Sequence, residues 1–131
     1  MDLANNLSIL GRIISTAVEG CDPDYMGLGP IGASKKALMR ADLSIDKIDI
    51  FELNEAFASQ SLACIKDLGI DQKKVNIDGG ALALGHPLGA TGARITGKAA
   101  DLLRRENKKY ALSTQCIGLG MGIATVIESV D

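Results

Sequence analysis

Hydrophobic and polar residues along this chain follow two different periods, and the changes of period mark out eight segments. Residues 12–18 and 48–53 are rich in β-branched and aliphatic side chains, which favours strands. Ala33, Ala37 and Ala41 are spaced four residues apart, as on one face of a helix. The pattern therefore predicts strands at 12–18, 48–53, 75–77, 110–116 and 121–128, and helices at 31–41, 54–68 and 90–106.

The resulting order, β-α-β-α-β-α-β-β, is typical of an α/β domain. Strands that alternate with helices indicate a parallel sheet, and the tight glycine turn at 118–120 predicts a final antiparallel hairpin. We therefore expect a layered domain with a mixed, mostly parallel five-stranded sheet and helices on its faces. Residues 1–11 are interpreted as a helix remnant and a lead-in, which suggests a domain cut from something larger.

Composition narrows the classes of function. The 131 residues, of which 47% are hydrophobic, suffice for one domain with a real core. A net charge of -2 gives no basic face for nucleic acid. Cys21, Cys64 and Cys116 form no Cys-x-x-Cys, so neither a disulfide framework nor a metal site is expected. Free thiols indicate a reducing compartment, hence the cytoplasm. With no signal peptide and no long apolar run, no membrane association is expected.

His86 is the single histidine and the first candidate for chemistry. It lies in the glycine-rich segment 79–92 and precedes Pro87, where irregular backbone can present a side chain to a pocket. Imidazole titrates near neutral pH, which makes it a natural general base. A purely structural role in the loop is the alternative.

Cys116 and Asn54 are the next candidates. Cys116 ends a predicted strand, and the glycines of 117–122 let backbone N–H groups face a ligand, as an oxyanion hole requires. A buried structural cysteine is the alternative. Asn54 is predicted to cap a helix, although strand ends in α/β sheets also bind ligands. Cys64 is expected in the core and Cys21 in a loop without a role.

Residues 27–32 formally match the dinucleotide fingerprint G-x-G-x-x-G. They follow a loop rather than a strand, and Pro30 removes an N–H that a pyrophosphate would need. The segment 79–92 likewise lacks the Gly-Lys-Ser/Thr ending of a P-loop. A nucleotide-binding module is therefore only a remote alternative.

Three motifs together resemble the thiolase family. Residues 54–58, Asn-Glu-Ala-Phe-Ala, look like its asparagine motif, 79–94 like its glycine–histidine signature, and 116–122 like its C-terminal cysteine signature. Residues 26–30 are similar to a fourth, looser element. The resemblance extends from about Leu10 to the end and implies that 1–131 is a thiolase C-terminal domain.

The resemblance also implies a role for each matching residue. Asn54 would hold a water that, together with His86, forms an oxyanion hole for a thioester enolate. His86 would also activate the nucleophile, and Cys116 would move the α-proton of the acetyl donor. The Gly118 N–H would serve a second oxyanion hole. The substrate would be lined by Met26, Phe57 and Ala56.

In this family the nucleophilic cysteine belongs to an N-terminal half, which the sequence lacks. Neither Cys21 nor Cys64 lies in the family's nucleophile motif. The implied partners are therefore that N-terminal half, the substrates acetyl-CoA and acetoacetyl-CoA, and further copies in a homo-oligomeric enzyme. The chain alone is expected to be inactive.

The implied function is acetyl transfer between acetyl-CoA molecules, a reversible Claisen condensation to acetoacetyl-CoA. Coenzyme A thioesters would be substrates, and no cofactor is implied. Two alternatives stay open: half of a degradative 3-ketoacyl-CoA thiolase, and a non-catalytic docking subunit of a split thiolase. Met26 favours a short acyl group, because it would fill the acyl pocket.

Overall fold

Four strands form a mixed sheet in the order β1-β4-β3-β2. The structure is a computed structural model that describes residues 8–130. The sheet consists of β1 (Arg12–Gly20), β2 (Ile50–Leu53), β3 (Tyr110–Ile117) and β4 (Met121–Glu128). β4 pairs antiparallel with both β1 and β3, and β2 pairs parallel with β3. The predicted hairpin of the last two strands is confirmed.

Residues 8–130 contain four α-helices, which lie around the sheet. They are α1 (Gly29–Arg40), α2 (Ala58–Leu68), α3 (Ala81–Leu84) and α4 (Thr91–Arg105). The sequence predicted α1, α2 and α4 to within a few residues but missed the single turn α3. Within residues 8–130, no helix is long and apolar enough to cross a membrane.

Two apolar layers hold the helices to the sheet, α1 on one face and α4 on the other. Alternate residues of each strand supply the two layers, as the two-residue strand period requires. The α1 layer contains Ala17, Ala33, Ala37, Leu38, Ile48, Phe51, Leu112, Ala124 and Val126, and the α4 layer Ile50, Ala99, Leu102, Leu103, Ala111 and Ile127. The α/β class predicted from the sequence is confirmed.

The predicted mostly parallel, five-stranded sheet is wrong in two respects. Segment 75–77 makes only an isolated bridge, Val75 to Phe51. Asn76 has φ 47°, which is not a strand conformation. In place of strand pairing, its Oδ1 accepts from the Leu53 N–H and its Nδ2 donates to the Leu53 carbonyl, each at 2.9 Å. Only one of the three strand pairs is parallel, because β1 lies beside the last strand and runs against it.

Asn54 was predicted to cap a helix, and the structure contradicts this. Helix α2 begins four residues later, at Ala58, with Phe57 in the capping position. Asn54 instead extends the sheet, because its N–H donates to the Thr114 carbonyl at 2.9 Å. The helix remnant predicted near the N-terminus falls mainly on residues 1–7, outside the described residues.

The glycines of 27–32 serve packing. A Cβ on Gly29 would lie 2.6 Å from backbone atoms of Met121 and Gly122, and one on Gly122 would overlap the Gly29 carbonyl. The start of α1 therefore touches β4 backbone to backbone, which only glycine permits. This contact explains Gly29 without a nucleotide, while a Cβ on Gly27 or Gly32 would meet the side chain of Gln60 or Glu19 at 2.9 Å.

Glu52 is an acidic group buried between the sheet and α4. It is 1% exposed, and its Oε1 has no hydrogen-bond partner among the described residues. Burial raises the pKa of Glu52 to about 7, although the positive charges of Arg94 and Lys98 act in the opposite direction. The folded domain therefore binds this proton more tightly than the unfolded chain does.

We expect the Glu52 contribution to stability to be complete below its unfolded pKa of 4.5 and lost as pH rises through about 7. Above that pH, Glu52→Gln should raise the free energy of unfolding by about 2–3 kcal/mol, with little difference at pH 4.5. Urea unfolding of both proteins across this range measures the effect. Asp67→Asn, on the exposed side of α2, is the control. Parallel pH profiles for Glu52→Gln and the parent chain would contradict the assignment.

Candidate active site

A cleft of about 840 Å³ opens beside the ends of β2 and β3. Its walls come from the turn before α1, the start of α2, the glycine-rich loop before α4 and the end of β3. The lining residues are Asp24, Tyr25, Met26, Gly27, Leu28, Ala56, Phe57, Ser59, Gln60, Ala63, His86, Leu88, Gln115, Cys116, Ile117 and Gly118. Most of these side chains are apolar, so the few polar groups stand in a largely apolar wall.

His86 reaches the cleft from the loop between α3 and α4. Gly85 just before it has φ 86°, which turns the chain sharply after α3. The imidazole Nδ1 lies 2.7 Å from the Thr91 hydroxyl, which in turn donates to the Pro87 carbonyl at 3.0 Å. The imidazole is half-buried and anchored on one side only.

Glu55, which follows β2, binds the glycine-rich segment 79–92 through hydrogen bonds. One carboxylate oxygen accepts from Asn76 Nδ2 at 2.7 Å and the other from the Leu82 N–H at 3.0 Å. Gly80 lies so close that any side chain there would overlap this carboxylate. Neither Glu55 nor Asn76 was predicted as a functional residue, although Glu55 lies inside the 54–58 motif. Together they position the loop that presents His86.

Cys116 lies one residue before the end of β3 and is half-buried in the cleft wall. Burial raises the pKa of its thiol above the ordinary value. A backbone hydrogen bond to the thiol acts in the opposite direction, but the effect of burial is larger. Cys116 in this domain is therefore a thiol at neutral pH, able to give a proton.

Gly118 follows at the turn between β3 and β4. Its neighbours Leu119 and Gly120 have φ of 66° and 71°, so the chain reverses there in the left-handed region. Leu119 is 94% exposed, and a left-handed conformation is unusual for leucine. The turn keeps Gly118 exposed at the mouth of the cleft, two residues beyond Cys116.

Asn54 lies behind the cleft rather than in its wall. It is 0% exposed, and neither Oδ1 nor Nδ2 has a hydrogen-bond partner among the described residues. Buried amides are normally partnered, by protein or by ordered water. The other six predicted site residues line the cleft. Asn54 follows β2, and its side-chain amide has no partner among the described residues.

Residues 7–129 match the family model described as thiolase, C-terminal domain. The chain belongs to the thiolase family. The match covers nearly the whole sequence, and it agrees with the resemblance carried by the motifs at 54–58, 79–94 and 116–122.

Named relatives agree with this assignment. The thiolase domain is 58% identical over 125 residues to a 3-ketoacyl-CoA thiolase of Aliivibrio salmonicida, covering 93% of this chain and 32% of the relative. A human mitochondrial 3-ketoacyl-CoA thiolase in complex with CoA has 49% identity and a TM-score of 0.93, over 96% of this chain and 32% of the human chain. The acetyl-CoA acetyltransferase of Bacillus anthracis has 44% identity and a TM-score of 0.91, over 95% and 32%. The chain thus spans about a third of the length of these thiolases.

Several large apolar side chains of the thiolase domain are exposed near the cleft. Tyr25, Met26, Phe57 and Leu88 line it and are each more than half exposed. Exposed apolar patches commonly mark contact surfaces.

Cys64 is fully buried near the Gly27 carbonyl, which confirms the core position predicted for it.

Proposed function

We propose that this thiolase domain supplies the acid/base and oxyanion groups for thiolysis of 3-ketoacyl-CoA. The nucleophilic cysteine would come from an N-terminal thiolase segment packed over the cleft. The observation that carries the proposal is the convergence of His86, Cys116 and Gly118 on one largely apolar cleft. The exposed apolar side chains around that cleft support a protein cover there.

In the proposed first half-reaction, His86 takes the proton of the nucleophilic thiol. The thiolate attacks the 3-keto carbon, and the bond between C2 and C3 breaks. The acyl group stays on the nucleophile, and the electron pair forms the enolate of acetyl-CoA. His86 and a water held by Asn54 stabilise the enolate oxygen, and the Cys116 thiol protonates C2.

In the second half-reaction, coenzyme A enters as its thiolate and takes the acyl group from the nucleophile. The proton lost by coenzyme A restores the Cys116 thiol by way of solvent, and His86 returns its proton to the nucleophile. The covalent thioester divides one difficult step into two easier ones.

Cys116 suits the acid role in the first half-reaction. Protonation of C2 needs a thiol, and burial raises the pKa of Cys116. The same group, as the thiolate, would remove the α-proton in the reverse condensation. The preference for thiolysis rests on the name 3-ketoacyl-CoA thiolase, carried by the Aliivibrio and human relatives.

A second candidate is acetyl transfer between acetyl-CoA molecules. The observation in its favour is Met26, which lines the cleft beside Phe57 and would shorten an acyl pocket. The Bacillus anthracis relative carries the matching name. The ratio of kcat/KM for acetoacetyl-CoA and for longer 3-ketoacyl-CoA separates the candidates in a complete enzyme, since a short pocket rejects the longer chains.

A complete enzyme can be built as a composite, in which this chain replaces the C-terminal third of the Aliivibrio salmonicida thiolase. The high identity between the two makes the replaced contacts closely similar. We call this protein the composite enzyme.

The chain alone should not catalyse thiolysis, because none of its three cysteines lies in the family's nucleophile motif. Consumption of acetoacetyl-CoA in the presence of coenzyme A measures this, with a Cys116→Ala chain as the matched control. Turnover by the pure chain, with the acyl group found on Cys116 after rapid quench, would show that Cys116 itself is the nucleophile. That result would overturn the proposed division of roles.

A further inference from the structure

The hydroxyl of Thr91 makes the one hydrogen bond that His86 forms with side chains of the described residues. Thr91 is 0% exposed and is the first residue of α4. Its Oγ1 lies 2.7 Å from His86 Nδ1 and 3.0 Å from the Pro87 carbonyl oxygen. The backbone of α4 therefore fixes a hydroxyl directly against one ring nitrogen.

The direction of these two bonds determines the tautomer of the imidazole. A hydroxyl has one proton, and a carbonyl oxygen can only accept. The Thr91 hydroxyl is placed to donate to the Pro87 carbonyl, which also accepts the N–H groups of Ala90 and Thr91. Such bonds from threonine to the carbonyl four residues earlier are common in helices. With the hydroxyl proton in that bond, the Thr91 oxygen offers only lone pairs to the ring, and Nδ1 is then the donor.

We propose that Thr91 is a positioning residue, which holds neutral His86 as its Nδ1-protonated tautomer with Nε2 free for chemistry. This inference rests on the proposed function for its catalytic meaning. Nε2 has no hydrogen-bond partner among the described residues, and His86 lines the cleft. The free lone pair of Nε2 can take the proton of the nucleophile, and the resulting Nε2–H can then donate to the enolate oxygen.

The chain offers an unusually direct test, because His86 is its only histidine. In the chain labelled with ¹⁵N-histidine, long-range ¹H–¹⁵N spectra report which ring nitrogen carries the proton. At a pH where the ring is neutral, we expect a protonated Nδ1 and an unprotonated Nε2. An Nε2-protonated ring in the parent chain would overturn the proposal, whatever the activity of any complete enzyme.

Two variants at Thr91 and one control complete the test. Thr91→Val removes the hydroxyl at similar volume, and we expect it to shift the ring toward the Nε2-protonated form. Thr91→Ser keeps the hydroxyl and should keep the Nδ1-protonated ring. Thr96→Val is the matched control on α4, where Thr96 contacts Ser113 instead. An Nδ1-protonated ring that persists in a folded Thr91→Val chain would overturn the assignment; if that variant does not fold, loss of the Nδ1 proton in Thr91→Ser would do so.

In the composite enzyme, Thr91→Val should slow acylation of the nucleophile by about 10–100-fold. This is the range for residues that orient metal-binding histidines through the ring nitrogen that does not bind the metal. The loss should fall on kcat rather than on KM, and Thr91→Ser should recover most of it. Equal loss in Thr91→Ser and Thr91→Val would show that the hydroxyl is not what matters. An inactive composite with the expected tautomer in the chain would instead count against the proposed function alone.

Discussion

His86→Ala in the composite enzyme is expected to slow both half-reactions by about 10²–10⁴-fold, the usual contribution of a general acid–base group. The structure places this one imidazole in the cleft with Nε2 free, so the same atom serves the nucleophile and then the enolate oxygen. Single-turnover acylation and full turnover, measured side by side, separate the two effects. Normal acylation by His86→Ala would show that another base activates the nucleophile.

Asn54→Ala is the comparison variant for His86. Its amide is fully buried behind the cleft and would act through a water, so the loss should be confined mainly to the enolate step. Removal of one oxyanion donor costs about 10²–10³-fold in a well-studied hydrolase, and we expect the Asn54 effect at or below that range. An Asn54→Ala enzyme that acylates as poorly as His86→Ala would overturn this division of labour.

Cys116→Ala is expected to reduce carbon–carbon cleavage and condensation by about 10²–10⁴-fold while it leaves acylation from acetyl-CoA nearly unchanged. The reason is that Cys116 handles only the proton at C2, which does not move when acetyl-CoA acylates the nucleophile. Rapid quench of the acyl-enzyme formed from labelled acetyl-CoA measures the first step, and acetoacetyl-CoA turnover measures the whole.

Cys21→Ala is the matched control for Cys116. Cys21 is also a partly exposed thiol, and it has a small effect on the pKa of Cys116, but it is not among the residues that line the cleft. Its replacement should alter neither rate. Equal losses of acylation and of cleavage in Cys116→Ala would mean that this thiol has a different role from the one assigned.

The sequence predicted the order of the main elements because their apolar periods are strong. Ala33 and Ala37, which the helical spacing placed on one face, are fully buried, and Ala41 on the same face is partly buried. Strand direction was predicted less well. A period of two says that a segment is a strand but not which strand lies beside it, and β1 joins the sheet against β4, more than a hundred residues later.

The errors at Asn54 and Asn76 both involve an asparagine, but they run in opposite directions. Asparagine favours caps and turns in isolation, because its amide competes with the backbone for hydrogen bonds. Here tertiary contacts decide the outcome. Asn76 uses its amide to bond Leu53 in place of a strand, and Asn54 is buried where β2 ends. Local propensity alone cannot distinguish these uses.

The sequence predicted the site residues for which a motif implies a role. It did not predict the residues that hold those side chains or their loop in place through hydrogen bonds. His86, Cys116 and Gly118 were identified from two sequence signatures, and the fold brings them to one cleft. Glu55 and Thr91 also lie within family motifs, yet no spacing rule shows that one fastens a loop and the other contacts an imidazole. Only the geometry of the folded chain assigns those contacts.

The most direct test of the central claim is the rate of acetoacetyl-CoA thiolysis by the composite enzyme. If this chain carries a working acid/base and oxyanion half, we predict turnover within about tenfold of the parent Aliivibrio salmonicida thiolase, since tenfold corresponds to only about 1.4 kcal/mol in the barrier. The chain alone should remain at background in the same assay. A composite that folds as the parent does but turns over no faster than the chain alone would contradict the claim, and would favour a docking role instead.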